Sequence, residues 1–168
     1  TASALLRSLV GSEMCIRDSY LTGAICGRPK SATFRTADII GLDTLESVAM
    51  TTHDKSKDDE SIEVFKPPNI IKILIKNNYL GQKSNSGFYR KNDDGAIQVF
   101  NPEKNEYQHV QKLDLGINQN ILNNENINDR LNAIINLDNK YGDFLWHSIY
   151  GHLRTVCFFF IRLHNVFF

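Results

Sequence analysis

A chain of 168 residues falls in the usual size range of one domain and is long enough to bury an apolar core. Its 19 basic and 19 acidic side chains balance, with no large basic block, which excludes an electrostatic pull toward nucleic acid or an anionic membrane and favours a small or specifically bound partner. Cys15, Cys26 and Cys157 are odd in number and lack Cys-x-x-Cys spacing, so neither a disulfide framework nor a zinc site is indicated, and a reducing, cytoplasmic setting fits.

Residues 1–19 lack the basic start, long apolar centre and cleavage site of a signal peptide, and the piece "SLVGSEMCIRDS" resembles the conceptual translation of sequencing-adaptor DNA. They are expected to be a non-native tail. From Thr36 apolar residues recur at helical spacing, first Ala37 and Ile40, then Leu42, Leu45, Val48 and Ala49. This predicts one helix, a break at Gly41 where a positive φ is tolerated, and a second helix over about Leu42 to Thr52. The polar "HDKSKDDES" that follows reads as a solvated connection, and His53 with Asp54, Asp58, Asp59 and Glu60 has no metal-ligand spacing.

In "FKPPNIIKILIKNNYLG" two prolines stand where missing N–H groups cost least, Ile70, Ile71, Leu74 and Ile75 form an apolar face, and Gly81 is read as the stop. Alternating segments then appear, separated by Asn92-Asp93-Asp94-Gly95 and by Asn101-Pro102-Glu103-Lys104-Asn105. They predict a small antiparallel hairpin or three-stranded meander near residues 87–110. Beyond it Ile127, Leu131, Ile134 and Ile135 give a helical stripe starting near Asn128 or Asp129, and a last helix is expected from Asp143 through "FLWHSIYGHL". His147 and His152 are five apart and so do not share one helix face. The apolar "VCFFFIRLHNVFF" is broken by Arg162, His164 and Asn165, too soon to span a bilayer.

Gly27-Arg28-Pro29, Phe34, Asp38 and Gly41-Leu42-Asp43, followed by Leu80-Gly81-Gln82-Lys83 and Gly87-Phe88-Tyr89, resemble the C-terminal domain of the 3-hydroxyacyl-CoA dehydrogenase family. The form "GRPKSATFRTAD" is most similar to the bacterial branch fused to an enoyl-CoA hydratase, and the resemblance covers roughly Tyr20 to Trp146. Two departures stand out. Ser31-Ala32-Thr33 replaces the more common Gly-Pro before the first aromatic, and Asn85 replaces a glycine in the second motif, a change that Asn tolerates because it accepts positive φ.

Each recurring position has a physical reading of its own. Gly27 and Pro29 shape an opening turn, Phe34 pins the segment to the core, Thr33 or Thr36 can cap the next helix, and Asp38 can face the positive end of the helix dipole or bond back to the opening turn. Gly81 ends a helix, Asn85 and Gly87 tolerate left-handed backbone, and Phe88 and Tyr89 return the chain to the interior. Cys26 reads as a packed thiol, since no His and Asn/Asp pattern supports a nucleophile.

The resemblance implies a mainly α fold of the 6-phosphogluconate dehydrogenase C-terminal type with the small β element. It places NAD on an N-terminal Rossmann domain with a Gly-x-Gly-x-x-Gly loop, absent from this sequence, and places the catalytic His-Glu pair with its polarising Ser and Asn before the matched region. No residue here inherits a catalytic, NAD or metal role. The expected organisation is a tail over 1–19, the dehydrogenase C-terminal domain over 20–111, the truncated start of a second helical segment over 112–154, and a non-native end over 155–168. The implied role is the wall of an acyl-CoA cleft and a homodimer contact, with Lys30 and Ser31 facing the cleft and Lys30 placed to meet a CoA phosphate. The alternative is a helical interaction module without chemistry.

Overall fold

The computed structural model describes residues 22–23, 26–27, 29, 31–59, 62–110, 119–122, 124–136, 142–146 and 149. The expected tails, the boundary near 112, Lys30, His147 and His152 lie outside them.

Helix α1 spans Ala32–Ile40, beginning four residues before Thr36. Its buried Ala37 and Asp38 and its half-buried Phe34 lie at three- and four-residue spacing, which puts them on one face. The early start overturns the capping role expected of Thr33 or Thr36, because both sit inside the helix and Ser31 occupies the cap without a side-chain bond to the helix's N–H groups. Thr36 instead bonds back to the Ala32 carbonyl at 2.6 Å, as hydroxyls within helices do. Gly41, at φ 100°, forms the expected corner. Its N–H closes α1 on the Ala37 carbonyl at 2.9 Å, and its own carbonyl accepts from Leu45 at 3.0 Å to open α2, Leu42–Lys55.

α2 runs three residues past Thr52, so His53, Asp54 and Lys55 belong to the helix rather than to the connection. His53 and Lys55 in the last turn suit the negative end of the dipole. The connection is also less solvated than its charges suggest: Asp59 is buried, within a turn that leads through a 3-10 segment, Ile62–Phe65.

Pro68 precedes α3, Asn69–Lys76, whose Ile71 and Leu74 are buried. Gly81 does not end this helix. Asn78 does so at φ 59°, with its N–H on the Ile75 carbonyl at 2.9 Å and the Tyr79 N–H on the Leu74 carbonyl at 2.9 Å. This is a Schellman termination, with Asn in the left-handed position usually held by Gly.

The period-two segments form a three-stranded antiparallel meander, β1 Tyr89–Lys91, β2 Ile97–Asn101 and β3 Glu106–His109. Asn92 caps the first turn by accepting from Ala96 N–H at 2.7 Å, and Asn101 holds the second by accepting from Glu103 N–H at 2.9 Å. Further along lie α4, Gln119–Leu122, which has no counterpart in the sequence reading, and α5, Ile127–Ile135, whose first turn is capped by Asn126 at 2.9 Å from the Asn128 N–H. A helical stretch over 142–146 buries Leu145, at the position expected of the last helix.

The fold is mainly α with one small sheet, as expected. Ala37, Leu42, Ile71, Leu74, Phe88, Val99 and Phe100 make one core from three helices and the meander. Among the described residues no helix is long and apolar enough to cross a membrane. Because Leu74 is completely buried at the centre of this cluster, Leu74→Ala is expected to cost about 2–5 kcal/mol by urea denaturation. A loss below about 1 kcal/mol would contradict the packing described.

Candidate functional site

The two motifs, some fifty residues apart, meet on a single side chain. Asp38 is buried in the second turn of α1, away from the helix start, so it serves neither the dipole nor the opening turn as expected. Its Oδ1 accepts the Phe88 N–H at 2.8 Å and its Oδ2 the Tyr89 N–H at 2.9 Å. A buried carboxylate is tolerable when its lone pairs are filled by charge-assisted bonds of this kind.

The glycines of the second motif serve this approach. A Cβ on Gly81 would stand 2.3 Å from the Asp38 carbonyl oxygen, and one on Gly87 would stand 2.1 Å from Asp38 Oδ1. Gly87 therefore answers a need for space, while the left-handed positions are Asn85, at φ 56°, and Gly81, at φ 95°. Beside this junction the Leu42 N–H bonds the Leu80 carbonyl at 3.1 Å, and Phe34 packs on Phe88 with ring centroids 4.4 Å apart. Lys83 reaches over Gly41 to donate to both carboxylate oxygens of Asp43, and the bond holds the Asp43 carboxyl below the usual range. The Tyr107 hydroxyl closes the far side by donating to the Gly87 carbonyl at 2.6 Å, and burial pushes its phenol upward.

Burial raises the Asp38 carboxyl to about 6, with the Tyr89 and Phe88 N–H groups and the nearby charge of Arg35 pulling the other way. A folded value above the unfolded 3.8 means that the fold binds the proton more tightly. This contribution to stability grows as pH falls through about 6 and levels off below the unfolded value.

Of the residues expected at a cleft, Lys30 lies outside the described set. Ser31 stands at the start of α1 with its hydroxyl oxygen 3.0 Å from Thr36 Oγ1. Gly27, at φ 68°, makes the opening turn and lies so close to Ile127 that a Cβ would meet its Cδ1 at 2.6 Å. Cys26 is half-buried. Sequence reasoning missed a groove of about 400 Å³ bordered by Arg35, Asp38, Ile39, Gln82, Asn85 and the three residues of β1. Arg35 lies 55 residues before Arg90, so no linear spacing places it at a groove that β1 borders.

Among the described residues there is no cluster of three or more metal-ligating side chains. Among the described residues all pairings in the sheet are antiparallel, so the sheet itself offers no parallel strand–loop–helix cradle of the dinucleotide-binding kind.

Comparison with known proteins bears directly on the interlocked motifs. Residues 22–91 match the family described as "3-hydroxyacyl-CoA dehydrogenase, C-terminal domain". That segment belongs to this family. The chain is 34% identical over 127 residues, 76% of its length and 16% of the relative's, to a Bacillus subtilis protein named "Probable 3-hydroxyacyl-CoA dehydrogenase". It is 45% identical over 74 residues, 44% of this chain and 20% of the other, to a protein of the same name from Deinococcus radiodurans. A Rickettsia prowazekii protein named as a fatty acid oxidation complex trifunctional enzyme is 25% identical over 122 residues, 70% of this chain and 15% of the relative. The matches therefore span a fifth or less of each of these relatives. No solved structure matches at a significant level. The dehydrogenase-family span ends at Lys91, the last residue of β1, so it contains both motifs while β2 and β3 follow it.

Two expectations follow from the junction. Gly81→Ala, which meets backbone, should cost at least about 3 kcal/mol, whereas Gly95→Ala, at φ 77° with nothing within 4 Å, should cost only about 1 kcal/mol of local strain. Equal losses in denaturant melts would refute the close-approach reading. The melting temperature should rise between pH 7 and pH 5, and Asp38→Asn should flatten that rise while losing about 1–3 kcal/mol, because an amide N–H₂ then faces a backbone N–H.

Proposed function

We propose that this chain is the substrate-cleft and dimerisation part of an NAD-dependent 3-hydroxyacyl-CoA dehydrogenase acting in fatty-acid β-oxidation. The parent would oxidise a 3-hydroxyacyl-CoA to the 3-oxoacyl-CoA, with NAD accepting hydride on a dinucleotide-binding domain elsewhere in the longer protein. In this reading the general base and the groups polarising the substrate oxygen also belong to that other part. The chain's own contribution is positional: the braced corner fixes α1 so that the turn before it can wall the acyl-CoA cleft. Lys30 and Ser31 are the residues proposed to face the thioester ligand.

One observation carries the reading. Residues 22–91 match the C-terminal domain of this family, and the matched span holds both halves of the Asp38 junction. The fatty acid oxidation name of the Rickettsia relative supports the pathway assignment. Exposed Ile39, Ile40 and Val48, at 57%, 53% and 59%, support a self-contact on α1 and α2, and would also serve a non-catalytic interaction module.

A spectrophotometric NADH assay with 3-hydroxybutyryl-CoA tests the proposal. The purified chain should give no turnover, whereas a chimera carrying residues 20–154 in place of the matching stretch of the Bacillus subtilis relative should give turnover well above the relative lacking that stretch. A chimera that folds, by circular dichroism, yet stays inactive would defeat the dehydrogenase reading in favour of the interaction module. Turnover by the chain alone would show that its chemistry had been placed in the wrong half.

A further inference from the structure

Of the ten glycines in the sequence only Gly95 follows an aspartate, and none follows an asparagine. The pair stands in the turn between β1 and β2, where Asp93, Asp94, Gly95 and Ala96 are all exposed. That order of residues matters chemically. A backbone nitrogen can close a five-membered ring on the carboxyl carbon of the residue before it, and a residue without a Cβ leaves the approach open. At Gly95 even an added Cβ would meet nothing within 4 Å, so no neighbouring side chain bars the ring.

Asn92 works against that closure. Its carbonyl accepts the Gly95 N–H at 2.9 Å, which engages the nitrogen, and its Nδ2 stands 3.5 Å from Asp94 Oδ2. Its Oδ1 accepts the Ala96 N–H at 2.7 Å, and its own N–H bonds the Ala96 carbonyl at 2.9 Å. One residue therefore fixes both reacting groups and the residue after them. Both side-chain bonds are exposed, so water competes for them and each opens at small cost.

We propose that Asp94-Gly95 is a self-modification site that forms isoaspartate through a cyclic imide, with Asn92 as the brake on its rate. The Gly95 nitrogen, giving up its proton, bonds to the carboxyl carbon of Asp94 while the bond from that carbon to its hydroxyl oxygen breaks, and one water leaves. One water then adds to either carbonyl of the ring. Opening on one side restores Asp94, and opening on the other routes the backbone through the former side chain and frees the α-carboxylate. Nothing is oxidised or reduced, and water is the sole co-reactant. The product carries one more carbon in the backbone of the turn, so the Asn92 and Ala96 bonds cannot all be kept beside the Lys91–Ile97 pair that opens the hairpin. The site owes nothing to the dehydrogenase reading.

The test is long incubation of the full chain at body temperature and neutral pH, followed by digestion and electron-transfer fragmentation, which separates isoaspartyl from aspartyl peptides of equal mass. Isoaspartate should accumulate at Asp94 ahead of every other Asp and Asn. Asp94→Glu should abolish it, since the longer side chain closes a six-membered ring instead. Asn92→Ala should speed it about fivefold, the worth of one net hydrogen bond. Gly95→Ala, which keeps the Asn92 bonds and adds a Cβ, should slow it several-fold, and it serves as the deciding variant if thermal melts show Asn92→Ala unfolded. The proposal is overturned if Asp94 stays aspartyl in the chain while the excised peptide isomerises, if folded Asn92→Ala reacts no faster, or if Gly95→Ala reacts as fast as the original chain.

Discussion

The structure depends on one carboxylate. Asp38 is buried on α1, and the only way to keep it there cheaply is to fill both of its oxygens, which the Phe88 and Tyr89 N–H groups do. That demand sets the separation of α1 from the start of the meander. It also dictates the neighbouring residue types, because backbone amides reach a carboxylate on an adjacent helix only if nothing larger than hydrogen stands at Gly81 and Gly87. The aspartate of the first motif and the glycines of the second are thus parts of one device.

Around that centre the remaining contacts act as guys on a mast. The Asp43–Lys83 pair lies in solvent and contributes direction more than energy, since exposed ion pairs are weak. Phe34 against Phe88 and the Tyr107 hydroxyl on Gly87 hold the same corner from the two remaining sides. The matched family span ends with β1, yet Val99 and Phe100 of β2 are completely buried and finish the core. The physical unit therefore extends beyond the stretch by which it is recognised.

Much of this was legible in the sequence. Helical spacing located α1, α2 and α3, the Gly41 corner needed only the knowledge that Gly accepts positive φ, and the two turn clusters announced the meander. The errors have a common cause. Local rules make Gly81 a helix stop and Thr33 or Thr36 a cap because they assign a residue to its nearest neighbours in sequence. Asn78 took the stop in place of Gly81, and Thr36 was absorbed by a longer helix. The same logic offers Asp38 the helix dipole or the opening turn, when its partners lie 50 and 51 residues away. No periodicity reports a contact at that range, nor does any spacing bring Arg35 to a groove that β1 borders.

The distance along the chain between Asp38 and its two donors also bears on synthesis. A ribosome adding about 5–20 residues per second delivers Phe88 roughly three to ten seconds after Asp38. Throughout that interval the first helix carries an acid whose two amide donors have not yet been made. The two carboxylate bonds that seat the first helix can therefore form only after the second corner has been made.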